Sequence, residues 1–72
     1  MKKRFKLENL DCANCAARIE ERVQAIPGVE EASVSFMLQR LTVVAPGEHM
    51  EAVVSEIRRV VAEVEPDCEL VD

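Results

Sequence analysis

At 72 residues, the chain is long enough for one domain, because a second hydrophobic core would leave each half below the usual minimum size. Hydrophobic residues make up 49% of the sequence and charged residues 32%, a composition that excludes a disordered chain and a membrane-spanning one. The formal net charge of −5 argues against a nucleic-acid-binding protein, whose surface has to be rich in Lys and Arg.

Apolar periodicity divides the chain into six elements. Alternation or a short β-branched run predicts a strand, and apolar residues three or four positions apart predict a helix with one apolar face. In chain order these are a strand at residues 3–7, a helix at 13–26, strands at 29–36 and 41–45, a helix at 48–64 and a strand at 68–71. The connection at residues 37–40 is expected to form a hairpin.

The ends of both helices are marked by prolines, because Pro disfavours the helical conformation of the residue before it. Pro27 follows the first helix and Pro66 follows the second. At the start of the first helix, Asp11 or Asn14 is the expected N-cap.

The element order βαββαβ predicts an α+β domain with the ferredoxin-like fold, occupying residues 1–72. Two helices cover one face of a four-stranded antiparallel sheet, with the strands in the spatial order 4-1-3-2. In this topology the loop after the first strand, the hairpin and the loop before the fourth strand share one end. Residues 11–15, 37–39 and 67–68 should therefore be neighbours, whereas His49 should lie at the opposite end.

Three cysteines are present, an odd number that does not suit a disulfide framework. No apolar run approaches the roughly 18 residues of a membrane span, and Met1 is followed by charged residues rather than by a secretory signal. The expectation is a monomeric cytoplasmic domain with reactive thiols and no direct membrane insertion.

Cys12 and Cys15 form a Cys-x-x-Cys motif where the first strand gives way to the first helix. Two cysteines three apart at a helix start can turn both sulfurs toward one point. The helix dipole is expected to lower the pKa of Cys15 and of Cys12, and thiolates select Cu(I), Zn(II) and their heavier relatives. Because no second pair of Cys or His completes a structural zinc site, the pattern predicts an open site that accepts a metal ion and passes it on.

Three segments carry a family resemblance: LDCANCAA at residues 10–17, IPGV at 26–29 and ASVSF at 32–36. Together they resemble the heavy-metal-associated domain, a family of small copper chaperones and cytosolic N-terminal domains of heavy-metal-transporting P-type ATPases. The resemblance covers nearly the whole chain and implies the βαββαβ fold and metal binding by Cys12 and Cys15. The chain departs from the common Gly-Met-Thr-Cys opening, although Leu10 keeps the apolar anchor of the loop.

Asp11, directly before the first cysteine, resembles the zinc-, cadmium- and lead-exporting branch of those ATPases. A divalent ion takes more ligands than Cu(I) and accepts a carboxylate oxygen, so Asp11 is a candidate ligand for one Zn(II), Cd(II) or Pb(II) ion. The alternatives are that Asp11 only caps the helix or the turn, and that the bound ion is Cu(I).

Other residues at the same end are weaker candidates. Cys68 could supply a third thiolate, or it is a small buried residue of the last strand. Asp67 is more simply a turn residue, and the thioether of Met37 is a poor ligand for a divalent ion. Met50 belongs to the apolar stripe of the second helix, and the lone His49 is interpreted as a surface residue.

These features predict a metal-binding module rather than an enzyme: a delivery or regulatory domain of a zinc-, cadmium- or lead-exporting P-type ATPase. Its expected partners are the membrane portion of the ATPase or another metal-binding domain, in transient contacts and with no nucleic acid. A free-standing metallochaperone, including one for Cu(I), is the alternative. A thiol oxidoreductase also uses Cys-x-x-Cys, but the element order and the absence of a proline between the cysteines argue against it.

Overall fold

The computed structural model describes residues 1–71 and has the predicted βαββαβ order. In chain order the elements are β1 (Lys2–Glu8), α1 (Ala13–Gln24), β2 (Glu31–Ser35), β3 (Arg40–Val44), α2 (Gly47–Val64) and β4 (Glu69–Val71). Each boundary lies within two residues of the predicted one. Neither helix in this part of the chain is long and apolar enough to cross a membrane.

The four strands form one antiparallel sheet in the order β2-β3-β1-β4, which is the predicted 4-1-3-2 arrangement read from the other edge. β1 is a central strand: Phe5 pairs with Leu41 of β3, and Leu7 pairs with Leu70 of β4. The ferredoxin-like fold is confirmed. Because β1 is hydrogen-bonded on both sides, the loop that follows Glu8 starts from a fixed position in the middle of the sheet.

One face of the sheet carries the hydrophobic core, and both helices pack against it. The helical stripes are buried as predicted, including Ile19 and Val23 of α1 and Ile57 of α2. Valine-rich α2 forms because it is packed, since β-branched residues are poor helix formers on their own. Burying each large aliphatic side chain contributes about 1.5–3 kcal/mol, so these positions hold the layers together.

Helix α1 ends two residues before the predicted position. The N–H of Ile26 bonds the carbonyl of Val23, a tighter turn than that of an α-helix, and Pro27 follows. Gly28 then adopts φ 98°, and a Cβ on it would lie 3.6 Å from Cβ of His49. His49 therefore lies at the far end of α1, away from the two cysteines, as expected.

An exposed ion pair links the two helices, and two more within α2 adjoin it. Arg22 of α1 contacts Glu63 of α2 at 2.8 Å, and Arg59 contacts both Glu56 at 2.6 Å and Glu63 at 3.1 Å. Each exposed pair contributes little by itself. The antiparallel packing that they accompany brings the C-terminal end of α2 beside the N-terminal end of α1.

Candidate metal centre

Cys12 is the N-cap of α1, with extended backbone angles of φ −131° and ψ 116°. Its Sγ accepts a hydrogen bond from the N–H of Cys15 at 3.3 Å, and its carbonyl accepts the N–H of Ala16 at 3.1 Å. The expected capping by Asp11 or Asn14 is wrong, because the sulfur occupies the position of a capping oxygen. The Cys12 side chain is thereby aimed at the helix N-terminus, toward the second cysteine.

The loop before the cysteines is anchored at Leu10, which is 3% exposed. Its N–H donates to Oε1 of Gln39 at 3.2 Å, and Nε2 of Gln39 donates to its carbonyl. Gln39 belongs to the β2–β3 hairpin, and its amide also bonds the carbonyl of Phe36 at 3.2 Å. The buried anchor is thus held by a side chain from a neighbouring connection, which limits the movement of the loop that carries Cys12.

Both thiols of the pair have altered acidity. The pKa of Cys12 is lowered, first by a hydrogen bond from the thiol of Cys15 and then by the backbone N–H groups of Cys15 and Asn14. The pKa of Cys15 is raised to about 12, first by its hydrogen bond to Cys12 and then by desolvation and by Glu65. The expected lowering for Cys15 is therefore wrong, because one negative charge is shared and the helix N-terminus stabilises it on Cys12.

Glu65 is the residue of this site that the sequence analysis missed. It is the C-cap of α2, half-buried, and its carboxylate raises the pKa of the Cys15 thiol. Its carbonyl also accepts the N–H of Cys68 at 3.0 Å, which ties the last loop to the helix end. The topology could have indicated Glu65. It directly precedes Pro66, so it begins the loop that contains Asp67 and Cys68 and that was predicted to lie beside the Cys-x-x-Cys motif.

Cys68 lies at the same end of the fold, as the topology predicts, but it is buried at 5% exposure within the hydrophobic core. Burial raises the pKa of its thiol, and the carboxylates of Glu65, Asp11 and Glu69 raise it further. The electrostatic contribution of Asp11 shows that the loop after β1 and the loop before β4 are close together. In this state Cys68 is a protonated packing residue next to the site.

The remaining candidates occupy different surroundings. Asp11 is exposed, and so is Asp67 in the turn before β4. Met37 is 90% exposed at the tip of the hairpin, whereas Met50 is buried in the core as expected. Within residues 1–71, no three His, Cys, Asp or Glu side chains are grouped closely enough to hold a metal ion.

The arrangement is therefore a half-exposed dithiol with carboxylates around it. Glu65 at the end of α2 acts electrostatically on both cysteines of the pair. Asp11 directly precedes Cys12, and Glu69 at the start of β4 acts on Cys68. Such a concentration of negative charge attracts cations to the loop. A soft dithiol beside carboxylate oxygens suits a thiophilic or borderline metal ion.

A comparison with known protein families matches residues 4–68 to the heavy-metal-associated domain. The chain belongs to the heavy-metal-associated domain family. The cadmium, zinc and cobalt-transporting ATPase of Bacillus subtilis (strain 168) is 35% identical over 66 residues, which are 92% of this chain and 9% of that protein. The copper-exporting P-type ATPase of the same organism is 42% identical over 60 residues, 83% of this chain and 7% of that protein.

Among solved structures, the domain is similar to the N-terminal domain of a potential copper-translocating P-type ATPase from Bacillus subtilis in the Cu(I)-loaded state. The TM-score is 0.77 at 37% sequence identity, and the match covers 97% of this chain and 82% of the other. The heavy-metal-associated domain described here spans less than a tenth of the length of the two curated ATPases. Its relatives therefore include proteins named for divalent ions and proteins named for copper.

Proposed function

We propose that this heavy-metal-associated domain binds one Zn(II), Cd(II) or Pb(II) ion through the thiolates of Cys12 and Cys15 and passes it on by ligand exchange. The observation that carries the proposal is the dithiol at the start of α1, where the Glu65 carboxylate is close enough to raise the pKa of Cys15. This side chain supplies an oxygen donor from a second element, next to the thiol that has to lose its proton.

The donor set favours a divalent ion over Cu(I). Cu(I) is satisfied by few soft ligands, whereas Zn(II) and Cd(II) take three or four and accept carboxylate oxygens. Asp11 and Glu65 both lie beside the cysteines and would offset part of the extra positive charge. Relatives named for cadmium and zinc and relatives named for copper both match the chain, so the carboxylates are the feature that separates the two candidates.

Binding requires one proton to leave the site. Coordination needs both sulfurs as thiolates, and because the pKa of Cys15 is raised to about 12, binding releases the proton of Cys15 to solvent. When one carboxylate oxygen joins the two sulfurs, a four-coordinate ion has one ligand position left for water, for Cys68 or for an incoming cysteine of a partner. Stepwise replacement of one thiolate at a time then transfers the ion without releasing it.

In this proposal the domain acts as a monomer in the cytoplasm, as the N-terminal part of a metal-exporting P-type ATPase. Its transient partners are the membrane portion of that ATPase or another metal-binding domain, and the domain itself catalyses no reaction. A free-standing metallochaperone would use the same residues in the same roles, and such a protein would meet the ATPase only during transfer.

Competition titrations of the reduced domain with Zn(II), Cd(II), Pb(II) and Cu(I) test the proposal. We expect Asp11→Ala and Glu65→Gln each to weaken Cd(II) and Zn(II) binding by about tenfold or more, equivalent to about 1.4 kcal/mol, and Cu(I) binding by much less. Asp67→Asn is the matched control, because it removes an exposed carboxylate from the same loop. Equal losses for all four ions would contradict the assignment to a divalent ion.

A further inference from the structure

The face of the sheet that the helices leave open carries a continuous basic strip along its centre. Because side chains alternate across a strand, the residues opposite to the core-facing Phe5 and Leu7 point outward. The basic strip consists of Lys2, Arg4, Lys6 and Arg40, all exposed. The carboxylates of the same face, Glu8, Glu31 and Glu69, lie at the strand ends on either side.

Two cations of the basic strip are directly opposed. Lys6 of β1 pairs in register with Arg40 of β3, and like charges in such a cross-strand pair destabilise a sheet. Within residues 1–71, none of the four side chains of the strip forms an ion pair with a carboxylate. By contrast, Arg22 and Arg59 on the helices are paired with Glu63. The sheet thus holds uncompensated positive charge in a chain of net charge −5.

We propose that this basic strip is a docking surface for an acidic protein segment, separate from the metal centre. Along β1 the outward side chains recur at every second residue, about 6.7 Å apart, which matches the spacing of alternate carboxylates in an extended segment. Thr42 of β3 pairs in register with Arg4, and Ser33 of β2 pairs with Thr42, so their hydroxyl groups add hydrogen-bond donors for carboxylate oxygens beside Arg4.

The chemistry of the face favours protein carboxylates over other anions. Single-stranded nucleic acid bound to an open sheet stacks its bases on aromatic side chains, and this face has none, because Phe5 is in the core and Phe36 is in the hairpin. An anionic membrane would repel a domain of net charge −5, and the large exposed apolar side chains among residues 1–71 are those of Met1 and of the hairpin residues 36–38, not of the strands that form this face.

The position of the basic strip allows a partner to dock without covering the metal centre. The strip runs along β1 on the side of the sheet opposite to the helices, whereas Cys12 lies beyond the end of β1 at the start of α1. A partner segment on the strip therefore leaves the cysteines accessible. The domain would be held close to an acidic segment of a partner protein while it exchanges the metal ion.

The test combines binding with thermal unfolding, using a short polyglutamate peptide as the probe. We expect the peptide to perturb NMR amide signals along β1 and β3, and the double variant Lys6→Gln/Arg40→Gln to raise its Kd several-fold. The same variant should raise the thermal unfolding midpoint at low salt, because the like-charge pair is removed. Both differences should shrink at high salt.

The matched control is Lys3→Gln/Arg18→Gln, which removes the same types of charge from the helix side of the domain. Lys3 lies over the Phe5 ring at 5.4 Å from its centroid, and Arg18 is exposed on α1. Equal loss of peptide binding in both double variants would overturn the proposal, as would a lower unfolding midpoint for the sheet variant. Tighter binding of the face to phosphatidylserine vesicles or to an oligonucleotide than to the peptide would also overturn it.

Discussion

Gln39 holds both backbone polar groups of Leu10 with its single side-chain amide: Oε1 accepts the N–H, and Nε2 donates to the carbonyl. Gln39 does so from a left-handed backbone conformation with φ 53°, which residues other than Gly, Asn and Asp adopt at a cost. Gly or Asn would relieve the backbone, but neither has a side chain long enough to replace this amide. The side chain of Gln39 therefore fixes the β2–β3 hairpin to the loop that leads to Cys12.

Substituting Gln39 should loosen the metal loop. We expect Gln39→Met to reduce stability by about 1–3 kcal/mol, because the N–H of buried Leu10 loses its partner. Cd(II) affinity should fall as well, measured by competition with a chelator. Gln24→Met is the control: its amide donates to the carbonyl of Ala32 at 2.9 Å, away from the cysteines. Equal losses of Cd(II) affinity in the two variants would contradict the coupling.

The acidity of the thiol pair predicts the pH dependence of metal binding. The pKa of Cys12 is lowered and that of Cys15 is raised to about 12, so between these values the pair holds one proton. Coordination by both sulfurs releases this proton, and the apparent affinity for Cd(II) should fall about tenfold for each pH unit of acidification in that window. Competition titrations at several pH values measure the slope.

The Cys15→Ser variant checks the origin of that slope. In a Cys68→Ala background, which removes the third thiol, the ultraviolet absorbance of thiolate should rise in two separate steps, the second near pH 12. In the variant the second step should disappear, and the pKa of Cys12 should stay lowered, because the serine hydroxyl and the backbone N–H groups still donate to its sulfur. If Cys12 and Cys15 titrate in one step at the ordinary cysteine pKa, the two thiols do not share a proton.

Cys68 can be assigned by the thiolate-to-metal charge-transfer band of the Cd(II) form. We expect Cys68→Ser to leave the band unchanged and to lower stability by about 1–3 kcal/mol, because a hydroxyl would be buried among apolar side chains. Cys68→Ala should be less destabilising, since it stays apolar. A band that loses about a third of its intensity in both variants would make Cys68 a third thiolate ligand.

Metal binding should also offset the loss of folding stability that a core substitution causes. Ile57 is fully buried, and Ile57→Ala should cost about 2–5 kcal/mol, close to the roughly 3–5 kcal/mol that a core of this size supplies. Cd(II) at a hundredfold excess over its Kd adds about 2.7 kcal/mol, so the variant should be largely unfolded alone and refold with the ion. Circular dichroism measures both states. An Ile57→Ala domain that stays unfolded with Cd(II) would mean that binding does not require the fold.

Much of the fold could be predicted because its signals are periodic and local. Apolar stripes, Pro27 and Pro66 located the elements, and the βαββαβ order left few compact topologies. Phe36 shows where this prediction fails. The alternating pattern of β2 continues to Phe36 in the sequence, but the chain already turns into the hairpin there, and Phe36 is 37% exposed. Alternation alone does not tell where a strand stops.

The site was harder to predict than the fold because its details depend on tertiary contacts. Cys12 and Cys15 are recognisable from their spacing, but the sharing of one proton between them depends on how the Cys12 sulfur caps α1. The role of Glu65 depends on the antiparallel packing of two helices, and that of Gln39 on a hydrogen bond across 29 positions of the chain. Neither contact has a local signature.

The two carboxylates that we propose as ligands of a divalent ion lie at the ends of elements rather than inside them. Asp11 is exposed before α1, and Glu65 is half-buried after α2, so neither contributes to the apolar core. A substitution at either position changes the chemistry offered to the ion with little effect on folding. Ion preference in this scaffold is consequently free to evolve by single substitutions, while the strands and helices that display the cysteines are preserved.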